Sequence, residues 1–323
     1  HTFDYGLECG PADIDARTCP LTDRVGHGTH VAGIAAGDGS ATTPGLAPFR
    51  YTGVAPLADL IVVKGGDNEY TTDRMIDGVA YIFERAAALG RPAVVNVSLG
   101  SQQGPHDGTT LVEQALDRLV GPGRLLVVAA GNDGVNRNES PAVASVPIHA
   151  TATLLPGEQA THTLDVPVYT PRPDTVDDGA VLELWYDGRD SLEVTVLSPR
   201  GHTVRAATGD SVLVETPDGA IFIDNASAGP EATNGDHVAL VVVFDATPDV
   251  PPASGIWQLV VRATAGQGSG THHLWLAGST LNGPVESAAL AGDWSNSHVV
   301  ASPGSASRAI TVAAFANRHT WLT

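Results

Sequence analysis

The side chain best suited to moving a proton in this 323-residue sequence is His27. It lies in Gly26-His27-Gly28-Thr29-His30-Val31-Ala32-Gly33-Ile34-Ala35-Ala36-Gly37. A neutral imidazole is the natural general base for a serine hydroxyl. A histidine at a helix mouth can face a cleft while the helix packs behind it, and Gly28 and Gly33 permit close backbone approach. Ala32, Ala35 and Ala36 make a thin helix that can lie inside a protein. Taken alone, His27 also fits a satisfied core histidine. His27 and His30 could be a metal pair at i and i+3, but no Glu follows His27 as in H-E-x-x-H, and no third ligand is identifiable.

The elements that must hold this histidine read as α/β. Leu60-Ile61-Val62-Val63, Val94-Val95-Asn96-Val97 and Leu125 to Ala129 are continuous apolar runs, as expected of strands buried on both faces of a parallel sheet. Between them, Thr71 to Leu89 places Met75, Ile76, Val79, Ile82, Phe83 and Ala86 on one helical face, with Thr71 or Thr72 as cap and Gly90 as stop. Thr110 to Val120 repeats that pattern. The alternation predicts a doubly wound parallel sheet with right-handed crossovers.

From about residue 150 the texture changes. Runs at 164–166, 181–186, 192–197, 221–223, 238–244, 256–261 and 274–276 alternate apolar and polar residues or form short apolar stretches, with Pro, Gly, Asp and Asn between them. Short strands divided by turn signals predict a β-sandwich, in particular a jelly roll. Ala309 to Ala314 then resumes the buried-strand texture. The expected organisation is an α/β domain over 1–148, an inserted β-sandwich over 149–298, and a return to the α/β domain over 299–323.

The histidine segment resembles the histidine motif of the subtilisin-like serine peptidases, the subtilases. Further segments are similar in the order of that family: Gly53-Val54-Ala55-Pro56, then Ala58 to Lys64; Val95 to Gly100; Val128 to Gly134; and Ser302-Pro303-Gly304 through Ala314. The resemblance covers about half the chain. It implies that Asn132 donates its side-chain amide to the oxyanion of the tetrahedral intermediate, in a site that excludes water; an ordinary Asn-Asp-Gly turn is the other reading. It implies substrate contacts at Gly65 and Gly66, where an extended peptide could add as a strand. Ser98, Leu99 and Gly100 would face them, with Ala130 and Gly131 completing an uncharged pocket. Asp133 near its mouth would add tolerance for a basic side chain. Leu197 to Gly201 and Gly255 to Leu259 resemble jelly-roll modules of some bacterial subtilases, including the Csp-like group.

The family's triad also needs an acid in D-[ST]-G and a nucleophile in G-T-S-M-A-x-P. Neither motif occurs in these 323 residues. The expectation is therefore a fragment of a serine endopeptidase lacking both motifs and inactive by itself. The alternative is a non-catalytic scaffold binding a protein or glycan through the β insertion. Trp185, Trp257 and Trp275 are expected in the core rather than on a carbohydrate-stacking surface.

Charge narrows the partners. With 17 Lys plus Arg against 36 Asp plus Glu, the net charge is −19. That argues against nucleic acid, which needs cations to neutralise phosphates, and against an anionic membrane surface. No apolar run approaches the length of a membrane span. A protein or peptide substrate is expected, the oligomeric state stays open, and a secreted or cell-surface location follows from the resemblance. Cys9 and Cys19 could close a small disulfide loop or be free thiols. The sequence identifies no certain cofactor. Asp174, Asp177 and Asp178 could hold a structural Ca²⁺ or form a solvated acidic loop.

Overall fold

The computed structural model describes residues 3–41, 45, 47–66, 70–134, 146–172, 177–281 and 287–314. The chain divides into two compact units. One comprises His1–Ser98, Gln114–Val127 and Arg308–Ile310; the other comprises Leu99–Glu113, Val128–Ser307 and Thr311–Thr323.

In the first unit, Cys9 and Cys19 form a disulfide. The five-residue helix α1 (Pro11–Asp15) lies within its loop. An ion pair from Glu8 to Arg85 at 3.0 Å and a hydrogen bond from the Tyr5 hydroxyl to Asp77 fasten this stretch to α3 (Thr72–Ala88). Helix α3 forms where its period predicts. Val79, Phe83 and Ala86 are buried at i, i+4 and i+7, and Gly90 follows with φ +65°. Thr71 holds the cap position, but its hydroxyl bonds Asp73 instead of a backbone N–H. The run Leu60–Val63 does not form a ladder among the described residues. Val62 is exposed, and Val63 lies where a Cβ on Gly78 of α3 would meet it at 3.1 Å. An apolar run reports a tendency to be buried, and here that tendency is met only in part: Leu60 and Val62 are exposed, and Val63 lies against α3.

Strands β1 (Ala93–Val97), β2 (Arg124–Ala129) and β14 (Ile310–Val312) form a sheet in the order β1-β2-β14. Helix α4 (Leu111–Leu119) begins with a reciprocal cap. Glu113 N donates to Thr110 Oγ1 at 3.3 Å, while Glu113 Oε2 accepts from Thr110 N at 3.3 Å and Thr110 Oγ1 at 2.7 Å.

The second unit is built on two antiparallel sheets. Its strands are β3 (His149–Thr153), β4 (Gln159–Val166), β5 (Gly179–Tyr186), β6 (Asp190–Leu197), β7 (Thr203–Ala207), β8 (Ser211–Thr216), β9 (Gly219–Asn225), β10 (His237–Phe244), β11 (Gly255–Gly266), β12 (Thr271–Ser279) and β13 (Ala289–Ala291). The six-stranded sheet runs β3-β12-β5-β10-β9-β8 and the five-stranded sheet β13-β4-β11-β6-β7. Alternation sends Ala180, Leu182, Leu184 and Tyr186 of β5 inward. Residues from both sheets, among them Leu164, Leu184, Val194, Ile223, Val241, Trp257 and Leu274, share one core. This is sheet-on-sheet packing.

Trp257 and Trp275 are fully buried, with Nε1 donating to Ala253 O at 2.9 Å and to His298 O at 2.8 Å. Neither can be a sugar platform. Trp185 is half-buried, its Nε1 bonded to Glu183 at 3.0 Å. Of the acidic turn, Asp174 lies outside the described residues. Arg172 contacts Asp177 at 2.8 Å and Asp178 at 3.7 Å, so an internal cation answers both carboxylates.

Candidate functional site

His27 opens helix α2 (His27–Ala36) and is exposed. Gly26 caps the helix with φ +85°, a conformation costly for any residue with a Cβ. Asp23 fixes this corner. Its Oδ1 accepts from Gly26 N at 2.7 Å and Val25 N at 3.1 Å, and its Oδ2 accepts from Thr29 Oγ1 at 2.7 Å and Thr29 N at 2.8 Å. The Thr29 hydroxyl, then the Thr29 and Gly26 amides, hold the Asp23 carboxyl down at about 2. A carboxylate at a helix start also meets the positive end of the helix dipole.

The far end of α2 is closed by Gly53-Val54-Ala55. Their amides donate to Gly37 O at 2.7 Å, Ile34 O at 3.1 Å and Ala35 O at 2.8 Å, satisfying carbonyls that a helix end leaves open. A Cβ on Gly53 would stand 2.5 Å from Gly37 N and 2.7 Å from Ala36 N, so glycine is needed there. The similarity at Gly53-Val54-Ala55 thus has a local cause. Helix α2 differs from expectation in one respect: only Ala36 is buried, and Ile34 is exposed. Its small side chains offer little apolar area to bury.

Gly65 and Gly66 follow the unpaired run in the same unit. Gly65 O accepts from Arg74 Nη1 at 3.0 Å, and a Cβ on Gly65 would strike the Tyr70 ring at 2.2 Å. Ser98 ends this part of the unit, its Oγ accepting from Asn96 Nδ2 at 2.9 Å.

The remaining candidates belong to the second unit. Gly100, Ala130 and Gly131 gather around Ala301. A Cβ on Gly100 would lie 2.8 Å from the Ala301 methyl, and one on Gly131 3.0 Å from it. Ala301 N donates to Ala130 O at 2.9 Å, and Ser101 and Ser302 exchange backbone bonds at 2.9 and 2.8 Å. The segment Val300–Ser302 therefore runs between the two stretches expected to wall the pocket. Leu99 is half-buried just before them. Sequence reasoning missed Ala301 as a packing centre; the segment singled out by resemblance begins one residue after it, at Ser302.

Asn132 is exposed after Gly131, whose φ is +94°. Next to it, Asp133 Oδ2 accepts from buried Gln102 Nε2 at 2.7 Å, and Gln102 Nε2 also reaches Val299 O at 3.3 Å. One oxygen of the residue expected at the pocket mouth is thus already engaged. A depression of about 350 Å³ beside Tyr169, Pro252 and Arg200 shares no residue with these candidates.

The profile of the subtilase family (peptidase S8) matches residues 12–171. That span contains the histidine helix, the Ser98-Leu99-Gly100 turn and the Asn132 turn in family order. The chain is subtilase-like. It is 39% identical over 115 residues to a subtilisin of Bacillus sp. (strain TA39), covering 35% of this chain and 25% of that protein. It is 41% identical over 120 residues to the major intracellular serine protease of Bacillus subtilis (strain 168), covering 35% of this chain and 32% of that protein. The structure of the Clostridium perfringens CspB protease matches with a TM-score of 0.69 at 22% identity, over 90% of this chain and 56% of that one. The fold likeness therefore extends through the sandwich, whereas the two sequence likenesses cover only about a third of the chain. Against these relatives the subtilase-like chain spans from a quarter to somewhat over half of their length.

Proposed function

We propose that this chain is part of a serine endopeptidase of the subtilisin type, hydrolysing peptide bonds of protein substrates through an acyl-enzyme. The observation that carries this is His27, exposed at the start of a helix whose two ends are both locally fixed, inside the stretch matched by the subtilase profile. In the reaction, a serine Oγ attacks the substrate carbonyl. His27 takes the hydroxyl proton and returns it to the leaving amine, and a water repeats the sequence on the ester. Asn132 donates its amide N–H to the oxyanion in both halves. Gly65, Gly66, Ser98, Leu99, Gly100, Ala130 and Gly131 contact the substrate, and the uncharged residues near Ala301 favour an apolar or small side chain before the scissile bond.

The sandwich is read as a jelly roll inserted over 149–298 between two α/β portions, 1–148 and 299–323. What supports this is strand order. The neighbours β3-β12-β5-β10 and β4-β11-β6-β7 follow the two-Greek-key pattern, with the β8-β9 hairpin added at one edge. A secreted or cell-surface location is supported by the Cys9–Cys19 disulfide. Among the described residues no helix is long and apolar enough to cross a membrane.

The test uses a chromogenic peptide. The 323 residues hold neither the G-T-S nor the D-[ST]-G motif, so this polypeptide alone should not cleave it. A longer form carrying both motifs should, with kcat falling about 10⁶-fold in His27→Ala, as for a subtilisin's histidine. In Asn132→Ala the fall should be about 10²–10³-fold, the value known for a subtilisin's asparagine. Cleavage by the 323-residue chain that disappears in His27→Ala would refute the missing nucleophile. Activity of the longer form indifferent to both substitutions would refute the site.

A further inference from the structure

Six of the 12 histidines crowd one part of the second unit: His106, His149, His162, His272, His273 and His298. Strand register sorts most of them. Ile148, Ala150, Leu274 and Leu276 point into the shared core, so His149 and His273 point to the opposite, outer face of the six-stranded sheet. There His149 pairs with Trp275 across β3 and β12, and His273 pairs with Trp185 across β12 and β5. His298 covers this face from the segment that follows β13. His162 and His272 form a separate inner pair, Nε2 to Nε2 at 2.7 Å.

We propose that His149, His273 and His298 form a binding site for a divalent transition-metal ion of the zinc class. One ring nitrogen from each lies within 4.8 Å of the other two. His149 Nε2 and His273 Nδ1 are 3.1 Å apart. Two imidazole donors on a tetrahedral ion, each ~2.0–2.1 Å from it, are ~3.3 Å apart. His149 and His273 are thus close to ligand spacing before any ion enters, with a His298 nitrogen within 4.8 Å of both, and imidazole suits zinc, copper and nickel.

The surroundings fit a built site. Burial is graded from His149, fully buried, through His273 to exposed His298, which leaves an entry path. Trp275 walls the trio, with ring centres 4.9 Å from His149 and 5.5 Å from His273. Its Nε1 bond to His298 O fixes the backbone of the third ligand. That backbone is left-handed, φ +57°, an uncommon conformation for a non-glycine residue and one that the structure here maintains. His106 stacks on Trp275 at 4.4 Å, but its nitrogens contact Val300 O at 2.7 Å and Gln102 O at 3.2 Å, so it serves as wall and not as ligand.

Three protein ligands leave a fourth position to water. The ion would clamp the segment at His298 to β3 and β12. Three residues further on, that segment reaches Ala301, on which Gly100 and Gly131 rest. Its role is a clamp beside the candidate substrate wall, and it does not depend on the peptidase reading.

The test uses the untagged 323-residue chain freed of metal with a chelator. Zn²⁺ should bind one per chain by calorimetry. It should raise Tm by about 5 °C at ~100-fold excess over Kd, and Co²⁺ should give the visible bands of a low-coordinate nitrogen site. His298→Ala and His273→Ala should fold, by circular dichroism, and lose all three signals, whereas His30→Ala should keep them. The proposal is overturned if wild-type chain shows no stoichiometric binding. It is also overturned if the His298→Ala and His273→Ala chains bind as wild type does, or if binding is lost in His30→Ala.

Discussion

The histidine helix and the histidine-bearing strands use one residue type in opposite ways. His27 is exposed, and what is fixed is the backbone under it: Gly26 in a left-handed turn, Asp23 below, Gly53 to Ala55 at the far end. His149 and His272 are fully buried, and what is fixed is the ring itself, by aromatic neighbours and other imidazoles. Burial, then the nearby imidazoles, pushes both down to about 3, because a charged ring is costly away from water. A proton carrier needs access and a steady platform. A ligand or core histidine needs convergence and exclusion of water. Residue type alone does not separate these duties; position in the backbone does.

The comparison breaks most visibly at Trp275. Trp275→Ala removes the ring against which His106, His149 and His273 pack, so the second unit should lose about 3–5 kcal/mol of stability in urea unfolding. A loss under about 1 kcal/mol would mean that packing does not hold these strands. Gly53→Ala attacks the other region. The added methyl meets the backbone of Ala36 and Gly37, so a cost of about 1–3 kcal/mol is expected, read as faster amide exchange in α2. Unchanged exchange there would show that the helix does not rely on this closure.

The smallest effect concerns acid. Asp23 is held at about 2 in the fold against an ordinary 3.8. The unfolded chain therefore binds its proton first as pH falls. Its contribution is complete above about 3.8 and disappears as pH drops towards about 2. Protection of the Thr29 amide should decline across that window, and Asp23→Ala should abolish the dependence. A pH-independent amide would break the link between Asp23 and the helix start.

What the sequence discloses depends on whether a pattern is local. Helix α3 could be read because Val79, Phe83 and Ala86 repeat at helical spacing, and β5 because its residues alternate strictly. Strands β3 and β8 escaped notice: His149-Ala150-Thr151-Ala152-Thr153 has no large apolar residue, and Val212-Leu213-Val214 sits in a mostly exposed edge strand. At Leu60–Val63 the apolar run misled: among the described residues it joins no ladder, Leu60 and Val62 are exposed, and Val63 lies against α3. His27 and Asn132 stood out through their flanking glycines and neighbours. The trio of His149, His273 and His298 did not, because strand register and a return segment bring together residues far apart in the chain, the first two 124 positions from each other.

Ala301 carries one further implication. Two glycine backbones rest on a single methyl group, so the width on both sides of it is set by one residue. Trimming that residue to hydrogen would slacken both flanks together, and branching it would spread both. In the pocket proposed above, selectivity for side-chain size would therefore drift by a single codon, with His27 and Asn132 unchanged.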